Sequence, residues 1–378
     1  MQSNLAEHSD VTGVLPPDRG PTDSYDVAGP THEERPEIAA TSNDTTTTAF
    51  PVSPERRSLY AEVDSLAAEF RATQDPDVAI ALADKRFEAA AGYDEEPVRT
   101  DWPPVYEDPF PDLRKGRIPE VGTDRLDART VAGGIKHRGS CIVRGLFSPE
   151  QVKRTVESID RVASLRTEEE PEPDEPDAWY RPYLNIGPMR RGLRRMVIRD
   201  GGTWLADSPI VAARVLDDLR QAGVIDLVTE HFGERPFFSL QKSTLRYSEP
   251  VHNFAGWHQD GSFLGWNSRT INVWVALSDC GGDHPTPGLE ILPRRIERML
   301  DQDGGLGSAS ISDATVLRTA GPTSLVVPEF KAGDALIFDQ KLVHRTHLFP
   351  EMTKPRYALE CWLFAPAHAP EPYVPLLV

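Results

Sequence analysis

The sequence predicts a mainly β protein with flanking helices, its strands forming an antiparallel sandwich or barrel of the jelly-roll type. From about residue 235 onward, β-branched and aromatic runs follow one another at short intervals. They are "PFFSLQKSTLRYS", "TINVWVALSD", "TSLVVPEF", "DALIFDQKLVH" and "RYALECWLFAP", and Gly, Pro and Asp turns separate them. Strands at this frequency, with no long helix between them, are the pattern of a closed or doubled sheet. The helices are expected ahead of them, where capping residues precede apolar positions at helical spacing.

The first helical segment is "SPERRSLYAEVDSLAAEF". Ser53 can cap it, Pro54 fits the first helical position, and Glu55 suits the positive end of the helix dipole. Leu59, Val63, Leu66 and Phe70 then share one face. A second helix, "DPDVAIALADKRFEAAAG", ends at Gly92 as a C-cap, and proline-rich chain continues to about residue 120. "RTVAGGIKHRGSCIVRGLFSPEQVKRTVESIDRV" reads as helix, strand, helix, with Ser148-Pro149-Glu150 opening the last. The proline-broken acidic run "EEEPEPDEPD" (168–177) should be a solvated loop.

Composition limits what the chain can be. Of its 378 residues 39 % are hydrophobic and 34 are proline, which suits one packed body with loose segments. Residues 1–52 are rich in Ser, Thr, Asp, Glu, Pro and Gly without apolar periodicity, so a disordered tail is expected there. Residues 53–122 read as a helical and proline-rich extension, and residues 123–378 as the β-rich domain. The net charge of −18 argues against nucleic acid, whose phosphates are bound through Lys and Arg. It favours a self-repelling monomer or small homo-oligomer. Cys141, Cys280 and Cys361 have no metal-type spacing and imply no disulfide framework. The N-terminus lacks the features of a secretory signal, and no run approaches the ~18 apolar residues of a membrane span. A cytoplasmic protein without a membrane partner is expected.

The chemistry concentrates in "GWHQDGSFLGW" (256–266). On a strand, His258 and Asp260 would project from the same face and could meet one metal ion. H-x-D alone is a weak signal, and a second histidine from a distant strand would strengthen it. "KAGDALIFDQKLVHRTH" offers His344 at the end of an apolar strand, and a hairpin centred on Pro350 would set His344 opposite Arg356. Two histidines and one carboxylate with open positions form the facial triad of non-haem Fe(II) oxygenases. Three coordination sites then remain, two for a chelating 2-oxo acid and one for dioxygen. A buried Arg356 needs an anion. The far carboxylate of 2-oxoglutarate would supply it through a bidentate pair.

"WHQDGSFLG", "INVWVALSDCGGDHPTPGLEILPRR", "KAGDALIFDQKLVHRT" and "KPRYALECW" resemble, in this order, the successive motifs of the phytanoyl-CoA dioxygenase family. The resemblance covers roughly residues 125–366. It implies a double-stranded β-helix of the cupin-like kind, and an oxygenase that uses Fe(II), 2-oxoglutarate and O2. Carried over residue by residue, it implies iron at His258, Asp260 and His344, and 2-oxoglutarate at Arg356. Trp274, Gln241 and Arg246 are similarly implied in the cosubstrate pocket. Some features depart from the family pattern. The His344-to-Arg356 interval is one residue longer, Arg294-Arg295 stand where Ser-His is frequent, and the N-terminal extension is long. Asp260 itself, in place of a small residue, is unlike the halogenating branch.

Trp257, Phe263 and Trp266 are expected to line a substrate mouth, with aromatic packing as the competing account. His252, His284 and His347 are not expected to be ligands, the last because its strand parity differs from that of His344. The arginines 190, 191, 194, 195 and 199 either pair with the acidic run or hold an anionic part of the substrate. The expected activity is oxidation of a C–H bond in a small molecule, most often hydroxylation, with succinate and CO2 as coproducts. Desaturation, cyclisation and epimerisation use the same centre. A zinc-dependent hydrolase or a catalytically silent protein on the same barrel are the alternatives, and Arg356 speaks against both.

Overall fold

Two capped helices begin the described part of the chain, α1 (Pro54–Thr73) and α2 (Pro76–Ala90). The Ser53 side chain accepts from the Arg56 amide, and Asp75 accepts from the amides of Asp77 and Val78. The second helix stops at Ala90, with Ala91 as its cap, one residue short of the expected Gly92. The computed structural model describes residues 53–91, 93, 101–166, 177–182, 188–239, 242–250, 256–304, 309–369 and 375–378. All of these belong to one unit, Ala49–Val378. The expected tail, Gly92, Gln241, His252 and most of the acidic run lie outside the described residues.

After β1 (Glu120–Gly122) come α3 (Ala128–Arg138), β2 (Ser140–Arg144) and α4 (Pro149–Leu165), the helix–strand–helix read from the sequence. Ser148 and Gln151 close a reciprocal capping box at the start of α4. The chain continues through α5 (Pro188–Arg199), β3 (Gly202–Trp204), α6 (Pro209–Gln221), α7 (Val224–Phe232), β4 (Phe237–Ser239), β5 (Thr244–Ser248) and the single turn α8 (Gly261–Leu264). It ends with β6 (Thr270–Ala276), β7 (Gly288–Ile291), α9 (Asp313–Ala320), β8 (Ala335–Phe338), β9 (His344–His347), β10 (Arg356–Phe364) and β11 (Pro375–Leu377).

Nine strands form one sheet in the order β1-β2-β8-β6-β10-β4-β11, with β5 also on β10 and β3 on β5; β7 and β9 form a second, smaller sheet. The alternation of side chains along the central strands divides them between two cores. Ile271, Val273 and Val275 of β6, Ile337 of β8 and Leu359, Cys361 and Leu363 of β10 join one apolar cluster with Val63, Phe70 and Leu82 of the first two helices. The extension therefore packs into the same core as the sheet. Trp274, Ala276, Leu336, Phe338, Ala358 and Trp362, the alternate positions, join Leu289 and Ile291 of the small sheet. This is the mainly β, helix-flanked arrangement of a double-stranded β-helix.

Three strand expectations are corrected. "TSLVVPEF" makes only isolated bridges, Val326 to Ile291 and Phe330 to Cys280; Pro328 between them has no N–H to continue a ladder. "DALIFDQKLVH" is broken after Phe338, where the Asp339 carboxylate accepts from the Lys341 amide and turns the chain, so His344 starts a new strand. The hairpin that would pair His344 with Arg356 does not form. His344 pairs with Ile291 in the small sheet, and Arg356 pairs with Ser248 in the large one.

Candidate metal centre

His258 and His344 exchange both backbone hydrogen bonds of an isolated antiparallel bridge, at 3.0 and 3.1 Å. This pairing sets their rings 4.3 Å apart between centroids. The next residues do not continue as a strand. At Asp260 the backbone turns into α8, and Gln259 fixes the bend. Fully buried, it donates to the carbonyls of Arg298 and Lys341 and accepts from the Leu300 amide. Asp260 is thus brought to the histidines by a turn, where strand alternation had been expected to do it.

The hydrogen bonds assign the histidine tautomers. Nδ1 of His258 lies 2.8 Å from the Gly256 carbonyl and Nδ1 of His344 lies 3.2 Å from the Leu342 carbonyl. A carbonyl only accepts, so each Nδ1 carries the proton and each Nε2 keeps its lone pair. Nε2 of His344 faces Oδ2 of Asp260 at 3.6 Å. One donor atom from each of His258, Asp260 and His344 falls within 4.8 Å of the others, so this group can hold a metal ion. It is the only such group among the described residues. Two imidazole nitrogens and a carboxylate suit Fe(II).

The surroundings favour a neutral His258 and an ionised Asp260. Burial lowers the His258 pKa to about 4, with His344 adding to the effect. Burial alone would raise Asp260, but Lys242, which donates to Oδ1 at 2.8 Å, and the two imidazoles hold it well below the usual range. The His258 shift has a consequence for stability. Between about 6.5 and about 4 the unfolded chain binds a proton at His258 that the fold refuses, so stability falls as pH falls through that window. Thermal unfolding of the metal-free protein across this range should show the fall, and His258→Gln should flatten it.

The triad lies on a cavity of about 320 Å³ between the large sheet and the small one. Inward positions of β5, β6 and β10 line it with Thr244, Arg246, Asn272, Trp274, Arg356, Glu360 and Trp362. Arg356 is 4 % exposed. It donates to the Gly288 carbonyl at 2.9 Å and stands 5.7 Å over the Trp274 ring, while its Nε has no partner. Among the described residues it forms no salt bridge, so a buried cation is left for a ligand carboxylate to satisfy. Arg246 is differently placed. It pairs with Glu360 at 2.8 Å, and although burial would raise the glutamate, Arg246 and Lys242 hold it low.

Other expected residues divide. Phe263, 47 % exposed, lines the cavity with its ring 5.9 Å from that of His258. Trp257 and Trp266 are not among the lining residues. Trp257 is buried in a separate cluster with Leu292 and Ile311 and donates to Asp313, because the bridge to Ile311 turns it away from His258. Trp266 packs under the Lys341 ammonium, 4.6 Å from its ring. His284 contacts Glu329, and His347 meets Phe349 edge to face. Of the clustered arginines, Arg194 forms an ion pair with Asp207. It is buried and holds Asp207 through two 2.9 Å bonds. Arg194→Ala would leave that carboxylate buried without its guanidinium, and should cost about 3–5 kcal/mol in denaturant unfolding.

The sequence profile of the phytanoyl-CoA dioxygenase (PhyH) family matches residues 135–348, more than half of the chain. The chain belongs to the phytanoyl-CoA dioxygenase family. As a family member it is a non-haem iron, 2-oxoglutarate-dependent oxygenase, with Fe(II) and 2-oxoglutarate as its cofactors. No curated protein sequence matches it. Among solved structures it is similar to EctD from S. alaskensis, crystallised with 2-oxoglutarate and 5-hydroxyectoine, at 17 % identity and a TM-score of 0.45 over 63 % of this chain and 76 % of that one. AviO1 from Streptomyces viridochromogenes Tue57 aligns at 19 % identity and a TM-score of 0.43, over 66 % and 99 % of the two chains. SnoK, a carbocyclase from nogalamycin biosynthesis, aligns at 14 % identity and a TM-score of 0.41, over 61 % and 81 %. Likenesses of this size carry no statement about the substrate. No helix among the described residues is long and apolar enough to cross a membrane.

Lys242, Glu360, Asn272 and Trp362 belong to the site and escaped the sequence reading. Glu360 was findable, since it sits four residues beyond Arg356 on the same strand face. Lys242 lies between β4 and β5, in a connection where no periodicity points.

Proposed function

We propose that His258, Asp260 and His344 hold the iron, that Arg356 receives the far carboxylate of 2-oxoglutarate, and that the enzyme oxidises a C–H bond of a small molecule. Hydroxylation is the simplest outcome. The reading is carried by one juxtaposition: a His-Asp-His donor set and a buried guanidinium with an unpartnered Nε on the same cavity. With iron and 2-oxoglutarate bound, O2 would be the oxidant, one of its atoms passing to succinate, which is formed with CO2, and the other to the substrate.

The chain's own residues do the positioning. Backbone carbonyls of Gly256 and Leu342 hold the imidazole protons, so both Nε2 atoms point inward as ligands. Trp274 forms a wall under Arg356, restricting where a dicarboxylate can lie. Leu193, Met196 and Val197 of α5, with Phe263 opposite, line the approach, and Met196 is 48 % exposed. A substrate entering there presents hydrocarbon to this apolar rim. Succinate release from 2-oxoglutarate with Fe(II), measured with and without apolar candidate substrates, tests the proposal. Substrate-stimulated succinate formation supports it, and a protein that turns over no 2-oxoglutarate under any of these conditions contradicts it.

A further inference from the structure

The Asp260 carboxylate presents its two oxygens to different partners. Oδ1 accepts from the Lys242 ammonium at 2.8 Å, while Oδ2 faces Nε2 of His344 at 3.6 Å. The ammonium is itself held in place, 4.9 Å from the Phe263 ring centroid and 5.6 Å from that of Trp362. Asp260 is buried, and water has little access to compete for Oδ1. We infer that Lys242 is a positioning residue that restricts Asp260 to ligation through a single oxygen. This inference rests on the iron site proposed above.

The restriction matters because the coordination positions are few. Three protein donors leave about three positions on a six-coordinate ion, and a chelating 2-oxo acid with dioxygen needs all of them. A carboxylate that closed on the ion through both oxygens would remove one. An ammonium is suited to prevent this, being a compact charge that occupies one oxygen without spanning both, as a guanidinium fork can. The same cation also repels a divalent ion. Lys242 thus keeps a position open at the expense of metal affinity, the opposite sign from a residue that merely orders the site.

The test uses Mn(II), which needs no turnover to report. Lys242→Met should bind Mn(II) at least as tightly as the unmodified protein. Its water-proton relaxation should fall by about a third, as one of about three exchangeable waters is displaced. Its affinity for 2-oxoglutarate in the presence of Mn(II) should drop roughly 10- to 100-fold, and Lys242→Arg, whose fork can span both Asp260 oxygens, should bind Mn(II) more weakly than the unmodified protein. If Lys242→Met does not fold, Lys242→Gln is read in the same way. Unchanged relaxation and 2-oxoglutarate affinity would overturn the inference while leaving the iron site standing. Loss of Mn(II) affinity in Lys242→Met would overturn it in favour of a merely structural role. An unmodified protein that binds no Mn(II) would overturn the iron site itself, and the inference with it.

Discussion

Asp260→Ala is expected to abolish stoichiometric metal binding and to reduce succinate formation to background while the protein stays folded. The substitution removes the only carboxylate among the three donors, and two imidazoles alone hold a divalent ion poorly in a site built for three ligands. It also leaves Lys242 beside the vacated position, where its charge repels the ion. The fold should survive because Asp260 contributes little to the bend around it. That bend is held by the buried Gln259 side chain and by the Gly261 amide, which donates to the Gln340 carbonyl at 2.8 Å. Metal analysis after dialysis, read beside a circular dichroism spectrum, checks both halves of the expectation.

The second large effect is expected at Arg356. Arg356→Leu should raise the concentration of 2-oxoglutarate needed for half-maximal rate by about 100-fold or more, leaving metal affinity close to that of the unmodified protein. Losing the partner of a buried carboxylate costs on the order of 2–5 kcal/mol, and each 1.4 kcal/mol is about tenfold. The substitution also relieves a penalty. Burial lowers the Arg356 pKa, and its Nε is unpartnered without a ligand, so the metal-free variant should be no less stable. Arg356→Lys should fall between the two, because an ammonium keeps the charge but not the fork. The 2-oxoglutarate dependence of succinate formation, with thermal unfolding alongside, separates these contributions.

His258, Asp260, His344 and Arg356 were legible as residues, but the geometry that unites them was not. The types and order of the motifs drew attention to them, and the chemistry of a buried arginine supplied the link. The proposed route, a hairpin placing His344 against Arg356, depended on reading "DALIFDQKLVH" as one strand. The Asp339 turn ends that strand at Phe338 and sends His344 into the opposite sheet. Both residues still reach the cavity, one from each wall. Helix starts are legible because caps are local: Ser53 and Ser148 accept the amides that a cap at their positions requires. Strand pairing is a long-range property, and nothing in "GWHQDGSFLGW" shows that Trp257 bridges to Ile311 and so faces away from the site.

The central claim, one iron at His258, Asp260 and His344 with 2-oxoglutarate reaching to Arg356, is tested most directly by anaerobic titration. Fe(II)-loaded protein would be titrated with 2-oxoglutarate while visible absorption is followed. A saturable charge-transfer band is predicted, absent in Asp260→Ala and reached only at much higher 2-oxoglutarate in Arg356→Leu. A protein that takes up zinc at these residues and develops no such band would contradict the account.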